Sequence, residues 1–328
     1  MTTRRQVLTS IGVFSVLPSL VAAQSKKLHR IAFLWGSSRE AAVSSGAAEA
    51  FEQGMRELGY LEKRDYVLEP YYAGGNYSDL SEIAGRVAAG KYELVLTSGA
   101  AATRAMQKVT STTPIVFATV NDAINTGFGK SLARPGGNLT GMSRNTVDIT
   151  PKHIELLRIF VPKLSRIGVL LNGGNPSHES VLAEVRSIAQ KFDISVLPIR
   201  AGNLDQLRGG FASARDKHVQ AVIVILDQLF IGHKEEIAKL ALTNRMLSVY
   251  SVPDDVRAGG LMSYGPLYTE FFRQSARHVI KILNGAKPGD VPIEMPTRFH
   301  LAVNAKTAKA LGLVVGDELR LRANEVIE

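Results

Sequence analysis

Ser98-Gly99-Ala100 stands where an apolar run gives way to a helical pattern. A hydroxyl and free backbone N–H groups at a helix start make a receptor for a carboxylate. Asp122 and Asp227 also follow apolar runs, and a carboxylate there can meet an ammonium group. Trp35, Phe117 and Tyr250 offer flat apolar walls near such ends. Ser37, Thr119, Asn121, Asn172 and Asn175 add small polar groups. Together these side chains suit a small polar solute, with an amino acid, aromatic ones included, as the favoured guess. Each also has a plainer reading. Ser98 or Asp227 would serve as the N-cap of the helix that follows, and Trp35 and Tyr250 would serve as core or rim packing.

Signals for catalysis are thin. There is no G-x-S-x-G elbow, no P-loop and no G-x-G-x-x-G after the first apolar run. The seven histidines are scattered, without an H-x-x-x-H pair or metal-like spacing to carboxylates. His233 beside Glu235 and Glu236 reads as a solvated helix start. The chain lacks cysteine, which excludes disulfides, a thiolate nucleophile, Cys-held metals and a lipid anchor on cysteine. No cofactor is expected. The formal charge of +9 is spread along the chain without a dense basic run, so nucleic acid is not an expected partner.

The elements that must position these groups alternate between strand and helix. His29–Trp35 is a near-continuous apolar run, as in a strand buried on both faces. A helix is expected over 41–58, a strand over 66–72, a helix from Asp79 to Ala89, a strand over 92–97, a helix to about Val109 and a strand over 114–120. This alternation argues for βαβ units and a parallel sheet. A second series then repeats the first. Leu164-Ser-Arg166-Ile167-Gly-Val-Leu170 matches Leu28-His-Arg30-Ile31-Ala-Phe-Leu34 at four positions, and Ala201-Gly202-Asn203 echoes Ala73-Gly74-Gly75-Asn76. Asp227 stands in the second series where Ser98 stands in the first.

Two glycine-rich brackets punctuate the chain. Ser131–Met142, with Pro135-Gly136-Gly137-Asn138 at its centre, reads as a crossover between two lobes. Gly259–Pro266 reads as the return crossing, followed by an amphipathic helix over 267–283. The amino terminus has the layout of an export signal over residues 1–23: Arg4-Arg5, an apolar run from Val7 to Val21, then Ala22-Ala23. The paired arginines resemble a twin-arginine signal.

Several longer stretches carry a resemblance. These are Phe51-Glu-Gln-Gly-Met-Arg-Glu-Leu-Gly59, Pro114-Ile-Val-Phe117, Ser131–Gly141, Gly259–Pro266 and Thr307-Ala-Lys-Ala-Leu-Gly-Leu313. Through them the chain, from about Arg30 to Ile327, resembles the ABC-transporter substrate-binding proteins with the type I periplasmic binding fold, in the tryptophan/tyrosine-type or uncharacterised branch. The resemblance implies an α/β protein of two Rossmann-like lobes, each a mostly parallel sheet with helices on both faces, joined by hinge crossovers. It places residues 28–141 with 261–290 in the first lobe and 142–260 with 291–328 in the second. It implies a small-molecule solute closed between the lobes, an inner-membrane ABC permease as partner, a monomer and a periplasmic location. Members tend to carry Asp-Pro after the fourth strand, where this chain has Asp122-Ala123, and the cleft is expected to differ there. Two rival readings keep the chain apart from import: the same fold serving a membrane sensor, and an exported α/β enzyme using Asp122 or Asp227 as acid or base.

Overall fold

β1 (His29–Trp35) has its last five residues buried, because helices cover both faces of its sheet. The structure, a computed structural model, describes residues 28–144 and 146–328, with the side chains of 146–148 left out. The export signal read over 1–23 lies outside the described residues. β1 lies between β2 (Tyr66–Tyr72) and β3 (Leu94–Ser98), followed outward by β4 (Ile115–Asn121) and β5 (Leu139–Arg144). All neighbours in this sheet are parallel, in the order β2-β1-β3-β4-β5.

The second sheet repeats that order. β6 (Arg166–Leu171) lies between β7 (Ser195–Arg200) and β8 (Ala221–Val224), then come β9 (Leu247–Tyr250) and β10 (Met262–Gly265). The sheet ends with β11 (His300–Asn304), antiparallel to β10, and β12 (Glu325–Ile327) beside it. The duplication therefore extends to a fifth strand in each lobe, one more than the sequence pattern counts. The two lobes are α/β units of the type I periplasmic binding kind.

Both glycine-rich brackets lead into these fifth strands; the first does not itself cross, and the second crosses only from its last residue, Pro266. The first bracket stays with the first lobe, where the Gly136 N–H donates to Gly289 O at 3.1 Å and the Ile293 N–H to Leu132 O at 2.8 Å. The chain crosses only after Arg144, entering the helix Thr146–Phe160. It returns between Gly265 and the helix Tyr268–Leu283, and crosses a third time between Glu294 and β11. Met262–Gly265 thus belongs to the second sheet, whereas Ile293 packs in the first lobe's core. These positions differ from the boundaries expected at 141/142, 260/261 and 290/291.

The helix expected over 41–58 is two helices, Arg39–Ser44 and Ala47–Glu57. Gly46 between them has φ +64°, a left-handed turn no α-helix can pass through. The helix Tyr268–Leu283 buries Phe271, Phe272, Ala276 and Val279 against the first lobe, together with Phe33, Trp35 and Phe51. Each fully buried large side chain of this kind contributes about 1.5–3 kcal/mol relative to exposure. The position of this helix fixes Tyr268, at its start, over the end of β3. Among the described residues, no helix is long and apolar enough to cross a membrane.

Candidate functional site

The carboxyl ends of the parallel strands in the two sheets face one another, with side chains in contact across them, as expected for ligand clefts in open α/β sheets. Asp227 follows β8 there and is 2% exposed. Four donors converge on its carboxylate. Asn172 Nδ2 (3.1 Å) and the Leu229 N–H (3.0 Å) donate to Oδ1, and Asn175 Nδ2 (2.7 Å) and the Tyr77 hydroxyl (2.9 Å) donate to Oδ2. Asp227 is thus the N-cap of the short helix Gln228–Ile231 and also a hub for the surrounding loops. His178 is buried behind it. Its Nδ1 accepts from the Asn172 N–H at 2.9 Å, so the proton rests on Nε2, which faces Leu226 O at 3.4 Å and Asp227 Oδ2 at 3.7 Å. Burial lowers the His178 pKa, opposed by Asp227 and the Leu226 carbonyl.

Three contacts tie this end of the second lobe to the first. Tyr77 reaches Asp227. Asn121 Nδ2 donates to Leu226 O at 3.4 Å. Gln228 Nε2 donates to the Tyr268 hydroxyl at 3.0 Å, and that hydroxyl lies 3.3 Å from Ser98 Oγ. The Gln228 side chain lies over Gly36 and Gly99, where added Cβ atoms would approach it to 3.2 and 3.0 Å. Gly99, with φ +88°, starts the helix Ala100–Val109 without any side-chain cap. The carboxylate receptor expected at Ser98-Gly99-Ala100 is therefore covered by Gln228. The gap among Gly99, Ala100, Thr119, Asn121, Asn175 and Asp227 is about 10 Å³, roughly the room of one water. The lobes stand closed on one another.

The other expected site residues divide. Ser98 is the last residue of β3, fully buried, and does not cap the helix. Ser37 and Thr119 are buried at the strand ends. Trp35 and Tyr250 are 1% exposed and belong to the cores. Trp35 stacks on Phe272 with centroids 5.5 Å apart, and Tyr250 packs with Leu229 and Phe230. Phe117 is likewise buried in the first lobe. The flat walls expected from these rings are thus turned inward, because each ring sits on a strand face covered by helices.

Asp122 has φ +46° and caps a turn by accepting from the Asn125 N–H at 3.2 Å. Its Oδ2 has no hydrogen-bond partner among the described residues. It faces Glu184 of the second lobe, whose carboxyl is pushed up to about 7, first by burial and then by Asp122. Ala123, standing where the family tends to have proline, donates its N–H to Ser143 Oγ at 3.1 Å, a bond proline lacks the hydrogen to make.

The sequence pattern does not single out Tyr77, His178, Glu184 or Tyr268, whereas Gln228 follows Asp227 at a polar strand end expected to line the cleft. Tyr77 sits directly after the turn at Asn76, and that adjacency is its one signal. Glu184 and Tyr268 lie on helices and gave none. Arg144, at the end of β5, was also missed. It is 4% exposed, and burial lowers its pKa to about 10.

The sequence model for ABC transporter substrate binding proteins matches residues 31–327. A curated tyrosine-binding protein of Clostridioides difficile is 24% identical over 268 residues, covering 81% of this chain and 76% of that protein. The structure of an ABC domain in complex with L-Trp from Streptococcus pneumonia superposes with a TM-score of 0.83 at 21% identity, over 92% of this chain and all (100%) of that one. A ligand-free, open substrate binding protein from Clostridium difficile gives a TM-score of 0.65 at 22% identity, over 92% and 99% of the two chains.

Proposed function

Because the chain belongs to the ABC transporter substrate-binding protein family, we propose that it is an exported receptor that closes on a small polar solute, an amino acid, and delivers it to an inner-membrane ABC permease. Asp227 carries this reading. It is a buried carboxylate whose Oδ2 is shared between its own lobe and Tyr77 of the other. Parting the lobes withdraws Tyr77 and Gln228 together. That frees an acceptor for an ammonium group on one side and the start of the helix Ala100–Val109 for a carboxylate on the other. The relatives named for tyrosine and L-Trp support an aromatic amino acid. Ser98, Thr119, Asn121, Asn172 and Asn175 line the closing faces, and Asp122 stands at their margin. Closure is a ligand-driven shift between open and closed populations. The protein acts as a monomer in the periplasm, without cofactor or catalysis.

The test is calorimetric titration of the folded chain with L-tyrosine, L-tryptophan and their amides and N-acetyl forms. One-to-one binding of a free amino acid, lost on blocking either end, is expected, with the ligand recovered unchanged. Equal binding of amino acid and amide would remove the zwitterion reading, and turnover of the ligand would remove the receptor reading.

A further inference from the structure

Arg144 is the last residue of β5 and pairs in register with Asn121, the last residue of β4. Its side chain therefore starts at the carboxyl ends of the strands, beside the Asn121–Leu226 contact that ties the lobes together. Arg144 and Asn121 of the first lobe, with Leu226 and Ser251 of the second, line a gap of about 20 Å³ between the lobes. Asn121 and Leu226 also line the smaller gap at Asp227, so their contact is the wall the two gaps share. The guanidinium lies 5.4 Å over the ring of Phe271, one helical turn from Tyr268. Tyr268 in turn holds Gln228 and touches Ser98. Arg144 Nε and Nη2 are closed off from solvent without a hydrogen-bond partner. Tyr268 and Asp255 act on the guanidinium through charge alone.

Two orphaned donors on a buried cation are costly, and buried polar groups are nearly always paired. Nε–H and Nη2–H form one edge of the guanidinium plane, the edge that matches the two oxygens of a carboxylate. The start of the helix Ala100–Val109 offers only about half a unit of positive charge. Asp227 brings a full negative charge on the other side, so a zwitterion held between them lacks half of its positive partner. We propose that Arg144 is the anion-recognising residue of the cleft: as the lobes close on an amino acid, its Nε–Nη2 edge takes the carboxylate presented at that helix start. This assignment rests on the amino-acid reading above and adds to it the residue that makes the cleft prefer acids to amides. Closure without a carboxylate leaves both donors orphaned, and closure on one satisfies them. The same residue therefore disfavours the first arrangement and favours the second.

L-tyrosine, L-tryptophan and their amides are titrated calorimetrically into the folded chain, into Arg144→Lys and into Arg144→Gln. Arg144→Gln is expected to weaken the acids at least about tenfold, the loss of one charge-assisted pair, while the amides change by less than about threefold. Arg144→Lys keeps the charge without the two-pronged edge and falls between. A merely structural role would weaken acid and amide alike, so an acid-to-amide ratio unchanged in Arg144→Gln overturns the assignment. Should Arg144→Gln fail to fold, the Arg144 Nε–H resonance of nitrogen-labelled unmodified protein is followed instead. Saturating L-tyrosine or L-tryptophan shifts it downfield, as a new charge-assisted bond does, and an unmoved resonance overturns the assignment. Failure of all four compounds to bind the unmodified chain removes the amino-acid reading and this assignment with it. Acid binding that keeps its ratio in Arg144→Gln removes the assignment alone.

Discussion

Tyr77 of the first lobe donates its hydroxyl proton to Asp227 Oδ2 of the second at 2.9 Å. Asp227 keeps three further donors when that bond is lost, all from its own lobe. The bond therefore stabilises closure far more than it stabilises either lobe. Tyr77→Phe removes it while keeping the ring. A hydrogen bond to a carboxylate is worth about 1.5–3 kcal/mol, and closure is linked to ligand affinity. Because an incoming ammonium must take the acceptor that Tyr77 holds in the unliganded closed state, amino-acid affinity should rise at least about tenfold in Tyr77→Phe by calorimetry, with little change in the urea midpoint. An unchanged affinity would show that Tyr77 does not act in closure.

Gln228 lies where an incoming carboxylate would approach the helix Ala100–Val109, and it is held by Tyr268. A ligand that uses this helix start must displace it. Gln228→Ala removes the competitor and one neutral hydrogen bond of about 0.5–1.5 kcal/mol. Affinity for an acid ligand should rise about threefold to tenfold, as that energy implies. The gain should be absent for the amide of the same ligand. A drop in affinity would mean that Gln228 contacts the ligand directly.

The order of strands could be read from the chain because buried parallel strands are apolar runs, and the segments that hold β1 and β6 match at four positions at one offset, three of them within the strands. β10 escaped notice because it is four residues long and sits directly after Gly259-Gly260, where the glycines read as a turn. The site was legible only where a strand end carries a polar residue. Asp227, Asn172 and Asn175 do meet. Trp35 and Tyr250 do not join them, since a ring at a strand end faces either the cleft or a covering helix, and residue type alone does not decide which. Contacts between lobes, such as Tyr77 with Asp227 at 150 positions' separation, leave no local pattern at all.

Glu184 and Asp122 face each other across the lobes, and the Glu184 carboxyl is raised from 4.5 to about 7 by burial and by Asp122. A raised acid keeps its proton in the closed arrangement and loses it more readily once the lobes part. Closing then takes up a proton, so it is unpenalised below the ordinary glutamate range. The penalty grows as pH rises and is complete above about 7. Glu184 is only partly buried, so water screens most of this shift; ligand affinity should weaken several-fold, on the order of fivefold, between pH 5 and 8, and Glu184→Gln should flatten that slope. The same slope in Glu184→Gln would assign it to another group.

Gly99 combines φ +88° with ψ 160°, a region that side chains avoid, and a Cβ there would sit 3.0 Å from Gln228 Cγ. Two causes thus oppose any larger residue. Backbone strain of this kind costs about 1–3 kcal/mol, whereas the contact involves the movable part of a glutamine. Gly99→Ala should therefore lower stability by about 1–3 kcal/mol in urea unfolding. Adding Gln228→Ala separates the causes, since a shared contact appears as a coupling energy. Strain in the backbone leaves a coupling below about 0.5 kcal/mol, the range of independent sites. A recovery of more than half the loss would place the constraint in the packing of Gln228 and not in the turn.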